Sequence, residues 1–179
     1  MDEKRDARGL TEAEAIVHYQ SRNYPKPALT ADAVLFSVHE DGGIRVLLVE
    51  RGGHPFLGQL ALPGGFANER EPVEETAARE LEEETGVHSL PMELIGVFSR
   101  PGRDPRGWVV SAAFGAVITG GDLPVRAGDD AASAQWYTLL PSHAGLMLCR
   151  GEARIPATEL AFDHAEILLC ALSKLNLAP

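Results

Sequence analysis

Three glutamates close to the end of a predicted helix have the spacing to bind one metal ion. Glu80, Glu83 and Glu84 stand at positions i, i+3 and i+4. Because successive helical residues are rotated by about 100°, these side chains project from one face. Carboxylate oxygens are ligands that Mg²⁺ and Mn²⁺ prefer. The alternative is a solvated acidic face, and the spacing alone leaves both interpretations open.

The residues around these glutamates predict how they are positioned. Gly64 and Gly65 form a paired-glycine turn before them, and glycine permits a close approach of the backbone that a β-carbon would block. A carbonyl of this turn could therefore join the metal ligands. Pro72 suits the first turn of a helix and Gly86 suits the position after the last turn, so the pattern predicts a helix over residues 72–85.

The same segment resembles the Nudix box, G-x5-E-x7-R-E-U-x-E-E-x-G-U, in which U is aliphatic. The chain agrees with every defined position of the box: Gly65, Glu71, Arg79, Glu80, Leu81, Glu83, Glu84, Gly86 and Val87. Such a match is far more specific than a lone glycine motif. The resemblance implies an α/β fold, namely an α/β/α sandwich with a mixed β-sheet. It also implies a hydrolase that uses Mg²⁺, with Mn²⁺ as a substitute.

The resemblance assigns roles within this segment. It implies that the three glutamates bind metal together with a carbonyl of the paired-glycine turn. Glu80 and Glu83 are the catalytic candidates among them. Glu71 and Arg79 would form a supporting ion pair that holds the loop on the helix.

Three arginines in residues 100–107 are candidates for phosphate binding. Arg100, Arg103 and Arg106 lie within eight residues of a chain that has only 16 basic residues. Guanidinium groups suit bidentate contacts to phosphate oxygens, although an ordinary charged turn would have the same composition. The loop resembles that of Nudix enzymes that hydrolyse ADP-ribose, and this favours a substrate-binding role.

Two further candidates come from other loops. Asp130, or its neighbour Asp129, could join the metal site or act as the base, as a late acidic residue does in many Nudix enzymes. The alternative is an Asx turn. Phe56 could contact a base or a ribose, although a lone aromatic residue more often packs in the protein. His164, Trp108 and Trp136 are interpreted as structural residues.

Composition limits the classes of function. The 179 residues carry a net charge of −10, which argues against a nucleic-acid partner because duplex binding needs clustered basic residues. The sequence shows no signal peptide and no membrane-spanning run of about 18 apolar residues, so we expect a cytoplasmic protein without a membrane partner. Cys149 and Cys170 are expected to be buried and reduced, and a disulfide between them is the less favoured alternative.

The remaining sequence predicts one domain, residues 28–179, after an N-terminal extension, residues 1–27, that contains a short helix. Residues 31–38 and 44–50 should pair as an antiparallel hairpin. Further strands are predicted at 90–99, 109–119 and 134–138, and helices at 11–22, 141–149 and 163–175. The last helix opens with Asp163 and Glu166 in capping-box spacing.

The favoured function is Mg²⁺-dependent hydrolysis of ADP-ribose to AMP and ribose 5-phosphate, with a small nucleotide diphosphate as the substrate. One alternative is a housecleaning hydrolase of nucleoside triphosphates or dinucleoside polyphosphates. Another is a non-catalytic sensor of ADP-ribose or an NAD-related metabolite, which the complete set of carboxylates opposes. A homodimer is possible by resemblance to ADP-ribose-cleaving relatives.

Overall fold

The computed structural model describes residues 3–128, 131–143 and 145–179. They form one nine-stranded sheet with three α-helices. The strands are β1 (Ala28–Val38), β2 (Ile44–Arg51), β3 (Leu60–Ala61), β4 (Gly64–Phe66), β5 (Glu93–Phe98), β6 (Val109–Thr119), β7 (Ala131–Ser142), β8 (Gly145–Arg150) and β9 (Ala153–Pro156). The helices are α1 (Glu12–Gln20), α2 (Val73–Thr85) and α3 (His164–Lys174), and a 3-10 turn spans Ala157–Glu159.

The sheet is mixed. Its main path runs β5-β6-β1-β2-β7-β8-β9, while β3 pairs with β2 and β4 pairs with β1. β1 and β6 are parallel along their whole lengths, and the other strand pairs are antiparallel. The expected hairpin of residues 31–38 and 44–50 is confirmed as β1 and β2. The pairing of β4 with β1 brings the paired glycines to the middle of the sheet.

Alternation along β1 divides the core between the two faces of the sheet. Leu35 lies in one buried cluster with Leu81 of α2. Val34 and Phe36 lie in the other cluster, with Leu168 of α3. Successive strand residues point to opposite faces, so α2 and α3 cover opposite sides of the sheet. The predicted α/β/α sandwich with a mixed sheet is confirmed.

The helix that carries the glutamates has the predicted ends. It begins after Pro72, which has an extended backbone with ψ 143°. It ends at Gly86, whose φ of 74° is left-handed and whose N–H donates to the Glu82 carbonyl. A residue with a β-carbon is strained in this conformation. Both ends of α2 are therefore set by local sequence.

The helix predicted over residues 141–149 is wrong. β7 continues to Ser142, and β8 follows from Gly145. The two strands pair with Leu139 opposite Leu148, and both of these side chains are buried in the core under α3. Pairing with the sheet edge buries these leucines, and this tertiary gain outweighs the local helical pattern.

The cysteine prediction is partly wrong. Cys149 is buried and lies in β8, whereas Cys170 is exposed on α3. Both thiols are free, as expected. The exposure of Cys170 follows from its place on the helix face that points away from the sheet.

The N-terminal helix is held mainly by its own sequence. Thr11 accepts the Glu14 N–H, and the Glu14 carboxylate accepts the Thr11 N–H, which forms a capping box. No residue of α1 itself is buried. Ile16, Val17 and Tyr19 are exposed by 51%, 65% and 60%, so this helix leaves an apolar surface uncovered.

No helix among the described residues is both long and apolar enough to span a membrane.

Candidate active site

A cavity of about 680 Å³ opens between the paired-glycine turn, α2 and the loops that flank β6 and α3. Glu80 and Glu84 of α2 line it together with Gly64 and Gly65. The cavity wall also contains residues that lie far apart in sequence: Asp32, Arg51, Phe66, Arg103, Arg106, Phe162 and His164. The cavity therefore joins an acidic region to a region of arginines and aromatic rings.

Arg79 connects the carboxylates of this region. Its Nε donates to Glu71 at 2.8 Å, and its Nη1 donates to Glu80 at 2.7 Å and to Glu83 at 2.9 Å. Its Nη2 donates to the Phe66 carbonyl at 3.1 Å and to Glu71 at 3.0 Å. The guanidinium thus fastens the loop after β4 to α2. These bonds lower the pKa of Glu71 to about 2, with the Asn68 N–H adding to the effect.

Glu84 is the most enclosed glutamate of the group. Its Oε2 accepts the Gly64 N–H at 3.1 Å. Burial, together with the negative charges of Glu80 and Asp32, raises the pKa of Glu84 to about 7 against the lowering effect of the Gly64 N–H. Burial also raises the pKa of Glu80, against the lowering effect of Arg79. Both carboxylates are therefore harder to ionise than free glutamates, and a cation bound beside them would favour their ionised forms.

The paired glycines are required by packing as well as by the turn. A β-carbon on Gly65 would overlap the carboxylate of Glu80. A β-carbon on Gly64 would lie 2.5 Å from both the Ala31 carbonyl oxygen and the Asp32 Oδ1. These distances are shorter than ordinary contacts, so only glycine lets the turn pack directly against the acidic side chains.

The donor chemistry of this region fits a hard divalent cation. Glu80, Glu84 and the carbonyls of the glycine turn are candidate oxygen ligands on residues that line the cavity. Glu83 is 56% exposed, bonds to Arg79 and does not line the cavity. In the described part of the chain, no three His, Cys, Asp or Glu side chains lie close enough together to hold a metal ion.

The three arginines of residues 100–107 separate in the structure. Arg103 is buried, lines the cavity and forms a bidentate pair with Asp163. Arg106 is exposed, lines the cavity and bonds to Asp104. Arg100 is exposed, pairs with Glu166 and does not line the cavity. Only Arg106 combines exposure with a position at the cavity.

Arg106 lies between two aromatic rings. Its guanidinium carbon is 4.7 Å from the centroid of Phe66 and 5.3 Å from that of Phe162. Such distances are typical of cation–π contacts. Phe56 packs edge-on against Phe162, with centroids 4.7 Å apart, and is not part of the cavity wall. Phe66 and Phe162 therefore add apolar surface to a cavity that has many charged residues.

Comparison with known proteins decides the family. A family model described as the NUDIX domain matches residues 26–141. The chain belongs to the Nudix family.

The chain is similar in sequence to an enzyme and to a transcriptional regulator. The "ADP-ribose pyrophosphatase" of Methanocaldococcus jannaschii is 40% identical over 147 residues, which cover 82% of this chain and 74% of that protein. The "ADPR responsive transcriptional repressor NtrR" of Acinetobacter baylyi is 32% identical over 163 residues, which cover 90% of this chain and 59% of the repressor.

A solved structure agrees with this assignment. The NUDIX domain of Shewanella oneidensis NrtR, crystallised with ADP ribose, superimposes with a TM-score of 0.71 and 31% identity. The match covers 93% of this chain and 99% of that domain. The whole Nudix fold is therefore shared, including segments beyond the box.

Several residues of the Nudix site were not predicted from sequence. Phe66 and Phe162 carry no local signal that separates them from packing residues. Asp32 does carry one, since it is the only acidic residue in the apolar segment 31–38. It is 5% exposed and accepts a hydrogen bond from the Ser111 hydroxyl at 2.5 Å. Unpaired charge in a buried strand is costly, so such a residue marks a polar network.

Some expectations at the periphery need correction. Asp163 and Glu166 do not form a capping box, because no side-chain cap bond is present and the carboxylates pair with Arg103 and Arg100. Trp108 is 57% exposed and is not a core residue. Trp136 is partly buried, and its Nε1 donates to the Leu123 carbonyl at 2.9 Å. Asp129 and Asp130 lie outside the described residues.

Proposed function

We propose that this Nudix protein is a Mg²⁺-dependent hydrolase that cleaves the diphosphate of ADP-ribose to give AMP and ribose 5-phosphate. The observation that supports this proposal is a single cavity lined both by Nudix-box carboxylates and by an exposed arginine with two aromatic rings. A nucleoside diphosphate needs both kinds of group. The ADP-ribose pyrophosphatase at 40% identity supports this choice of substrate.

The Nudix-box carboxylates form the proposed metal site. Glu80, Glu83 and Glu84, with the Gly64 or Gly65 carbonyl, would hold Mg²⁺, and Mn²⁺ could replace it. When bound, the cation neutralises charge on the diphosphate and lowers the pKa of bound water. Glu80 and Glu84 carry pKa values raised by burial, and this is the environment in which a nearby cation most favours the ionised form.

The protein's own residues supply the remaining steps. Glu80 is a candidate to accept the proton of the attacking water, with Asp130 as the alternative taken from the family resemblance. Arg79 keeps Glu80 in place through a 2.7 Å hydrogen bond and is itself held by Glu71. The supporting pair is therefore proposed to fix the orientation of the base.

The arginine and the aromatic rings of the cavity are proposed to bind the substrate. Arg106 could donate to diphosphate oxygens, since a guanidinium forms bidentate contacts with such groups. Phe66 and Phe162 offer ring faces for a base. Arg103 lines the cavity, but its Nε and Nη2 are used by Asp163, so we assign it a supporting role. Arg100 and Phe56 lie outside the cavity wall and are not proposed as substrate ligands.

A regulatory function is the second candidate. The repressor relative is described as ADPR responsive, and the isolated NrtR domain was crystallised with ADP ribose. Binding without hydrolysis would fit the same cavity. The complete set of box carboxylates favours the enzyme, because a sensor does not need them for chemistry.

A hydrolysis panel tests these alternatives. Purified protein is incubated with Mg²⁺ and, separately, ADP-ribose, NADH, diadenosine polyphosphates and nucleoside triphosphates, and the products are resolved by chromatography. We expect AMP and ribose 5-phosphate from ADP-ribose, and no product when the metal is chelated. Turnover of another compound without AMP release from ADP-ribose would reject the proposed substrate. Tight ADP-ribose binding with no turnover of any compound would favour the regulator.

We also propose a homodimer. The exposed Ile16, Val17 and Tyr19 on α1 support it, because an uncovered apolar surface commonly marks an interaction site. Analytical ultracentrifugation tests the proposal, with Val17→Glu as a variant expected to shift the protein toward the monomer. A wild-type protein that sediments as a monomer at all concentrations would reject it.

A further inference from the structure

Leu62 and Pro63 lead into the paired-glycine turn, which begins at Gly64. Each of these three residues forms a hydrogen bond to a different part of the fold. The Leu62 N–H donates to His164 Nδ1 at 2.9 Å. The Pro63 carbonyl accepts the Ala33 N–H at 2.8 Å. The Gly64 N–H donates to Glu84 Oε2 at 3.1 Å. The first of these bonds comes from α3, which lies on the opposite face of the sheet from α2.

The imidazole of His164 has a defined orientation. It is 4% exposed. Nδ1 accepts a backbone N–H and therefore carries no hydrogen itself. The imidazole is thus the neutral tautomer with its hydrogen on Nε2. Nε2 lies 3.6 Å from Asp32 Oδ1. That carboxylate oxygen also limits the space beside Gly64, where a β-carbon would lie 2.5 Å from it. His164 and Asp32 therefore contact neighbouring parts of the same turn.

The start of α3 cannot shift freely relative to the turn. Asp163, directly before His164, forms a bidentate ion pair with the buried Arg103. The Ala161 N–H donates to the Leu60 carbonyl at 2.8 Å. These contacts fix the backbone that leads into His164. Because Nδ1 is held in place, its hydrogen bond also restrains the Leu62 N–H.

We propose that His164 is a positioning residue for the reaction. Its imidazole holds Leu62 so that the Gly64 N–H, two residues later, orients the carboxylate of Glu84 toward the cation. The last helix, beyond the residues that the NUDIX family model matches, then takes part in building the metal site. The inference rests on the proposed function insofar as Glu84 binds the metal.

A purely structural His164 would behave differently. If the imidazole only filled the core, any side chain of similar volume would replace it, and metal affinity would follow overall stability. If it positions the turn, the acceptor atom itself matters. Asparagine carries Oδ1 on Cγ, where histidine carries Nδ1, whereas leucine carries a methyl group there. Comparing these two replacements separates the acceptor from the volume.

The test compares His164→Leu and His164→Asn with the wild type. Mn²⁺ binding is measured by electron paramagnetic resonance, and kcat and KM are measured with ADP-ribose. We expect His164→Leu to weaken Mn²⁺ binding and to lower kcat, each by about 10-fold, with a much smaller change in KM. His164→Asn should recover most of both losses. Leu172→Ala, also buried on α3 but two turns away, should lower Tm without changing Mn²⁺ affinity.

Each outcome bears on the proposal. Wild-type Mn²⁺ affinity and kcat in His164→Leu would overturn it, as would a His164→Asn variant no better than His164→Leu. If His164→Leu does not fold, His164→Gln serves instead, because its acceptor is one bond further from the backbone, and it should bind Mn²⁺ less tightly than His164→Asn. A wild type that binds Mn²⁺ but cleaves no ADP-ribose rejects the proposed substrate, while the Mn²⁺ titrations still test His164.

Discussion

Arg103 and Asp163 form a buried bidentate ion pair that joins the loop before β6 to the start of α3. Nε and Nη2 of Arg103 donate to the two carboxylate oxygens at 2.8 and 2.6 Å. Each side chain is only 4% exposed. Both carboxylate oxygens of Asp163 therefore bind a residue that is distant in sequence. This explains why Asp163 does not cap its own helix. The pair sets the position of the residue that follows it, His164.

Breaking this pair should destabilise the protein strongly. Arg103→Met keeps an apolar stem but leaves the Asp163 carboxylate buried without its partner, and such a change costs about 3–5 kcal/mol. Urea unfolding gives the free energy. Arg100→Met is the matched control, because its pair with Glu166 joins the same loop to the same helix but is exposed. The control should lose no more than about 1 kcal/mol. Equal losses in the two variants would contradict the burial argument.

The stability of the protein should depend on the charge of His164. Burial lowers the pKa of His164, opposed by Asp32 and Asp163 and reinforced by Arg103 and Arg51. The unfolded histidine titrates near 6.5. Below about pH 6.5 the unfolded chain therefore binds a proton that the folded chain excludes, so the free energy of unfolding falls as pH drops and recovers as pH rises.

His164→Asn provides the comparison, because asparagine does not titrate. Urea unfolding of the wild type and the variant between about pH 5 and pH 8 should show the wild type losing stability relative to the variant at the acidic end. Parallel curves across this range would mean that His164 has the same pKa in the folded and unfolded chains.

The box glutamates Glu83 and Glu84 should matter more for turnover than the neighbouring Glu82, which lies outside the defined positions of the box. Glu84→Gln removes a carboxylate that lines the cavity and accepts the Gly64 N–H, so we expect kcat to fall about 100-fold with the Tm retained. Glu83→Gln should give a comparable fall if Glu83 is a metal ligand. Glu82→Gln, exposed on the same helix, should keep wild-type kcat. Near-normal turnover in Glu83→Gln would remove Glu83 from the proposed metal set.

The parts of the site that are local in sequence could be predicted from it. The ends of α2 depend on Pro72 and Gly86, and helical periodicity alone brings Glu80 and Glu84 to one side. The glycine turn is adjacent to this helix in sequence. For these residues, a few dihedral angles fix the geometry, and the pattern of residue types contains that information.

The other half of the cavity depends on contacts across the sheet. Leu62 and His164 are 102 residues apart, and nothing near either residue indicates that they bond. The Arg106 guanidinium lies over the Phe162 ring because β6 pairs with β1 and α3 packs against one face of the sheet. The error over residues 141–149 has the same origin, since Leu148 gains its burial from pairing with β7 and not from its neighbours in sequence.

Arg106 should control substrate binding more than turnover. Its guanidinium lies over Phe66 and Phe162 at the cavity and is exposed, so its removal leaves the proposed metal ligands untouched. For Arg106→Ala we expect KM for ADP-ribose to rise about 10-fold, equivalent to about 1.4 kcal/mol of binding, with kcat nearly unchanged.

Two further variants separate the geometry of Arg106 from its charge. Arg106→Lys keeps the positive charge but loses the planar fork that stacks on the rings and binds phosphate oxygens in pairs, so its KM should lie between those of the wild type and Arg106→Ala. Arg154→Ala removes an exposed arginine away from the cavity and should leave KM unchanged. A KM of Arg106→Ala equal to that of Arg154→Ala would show that the arginine between the two rings does not bind substrate.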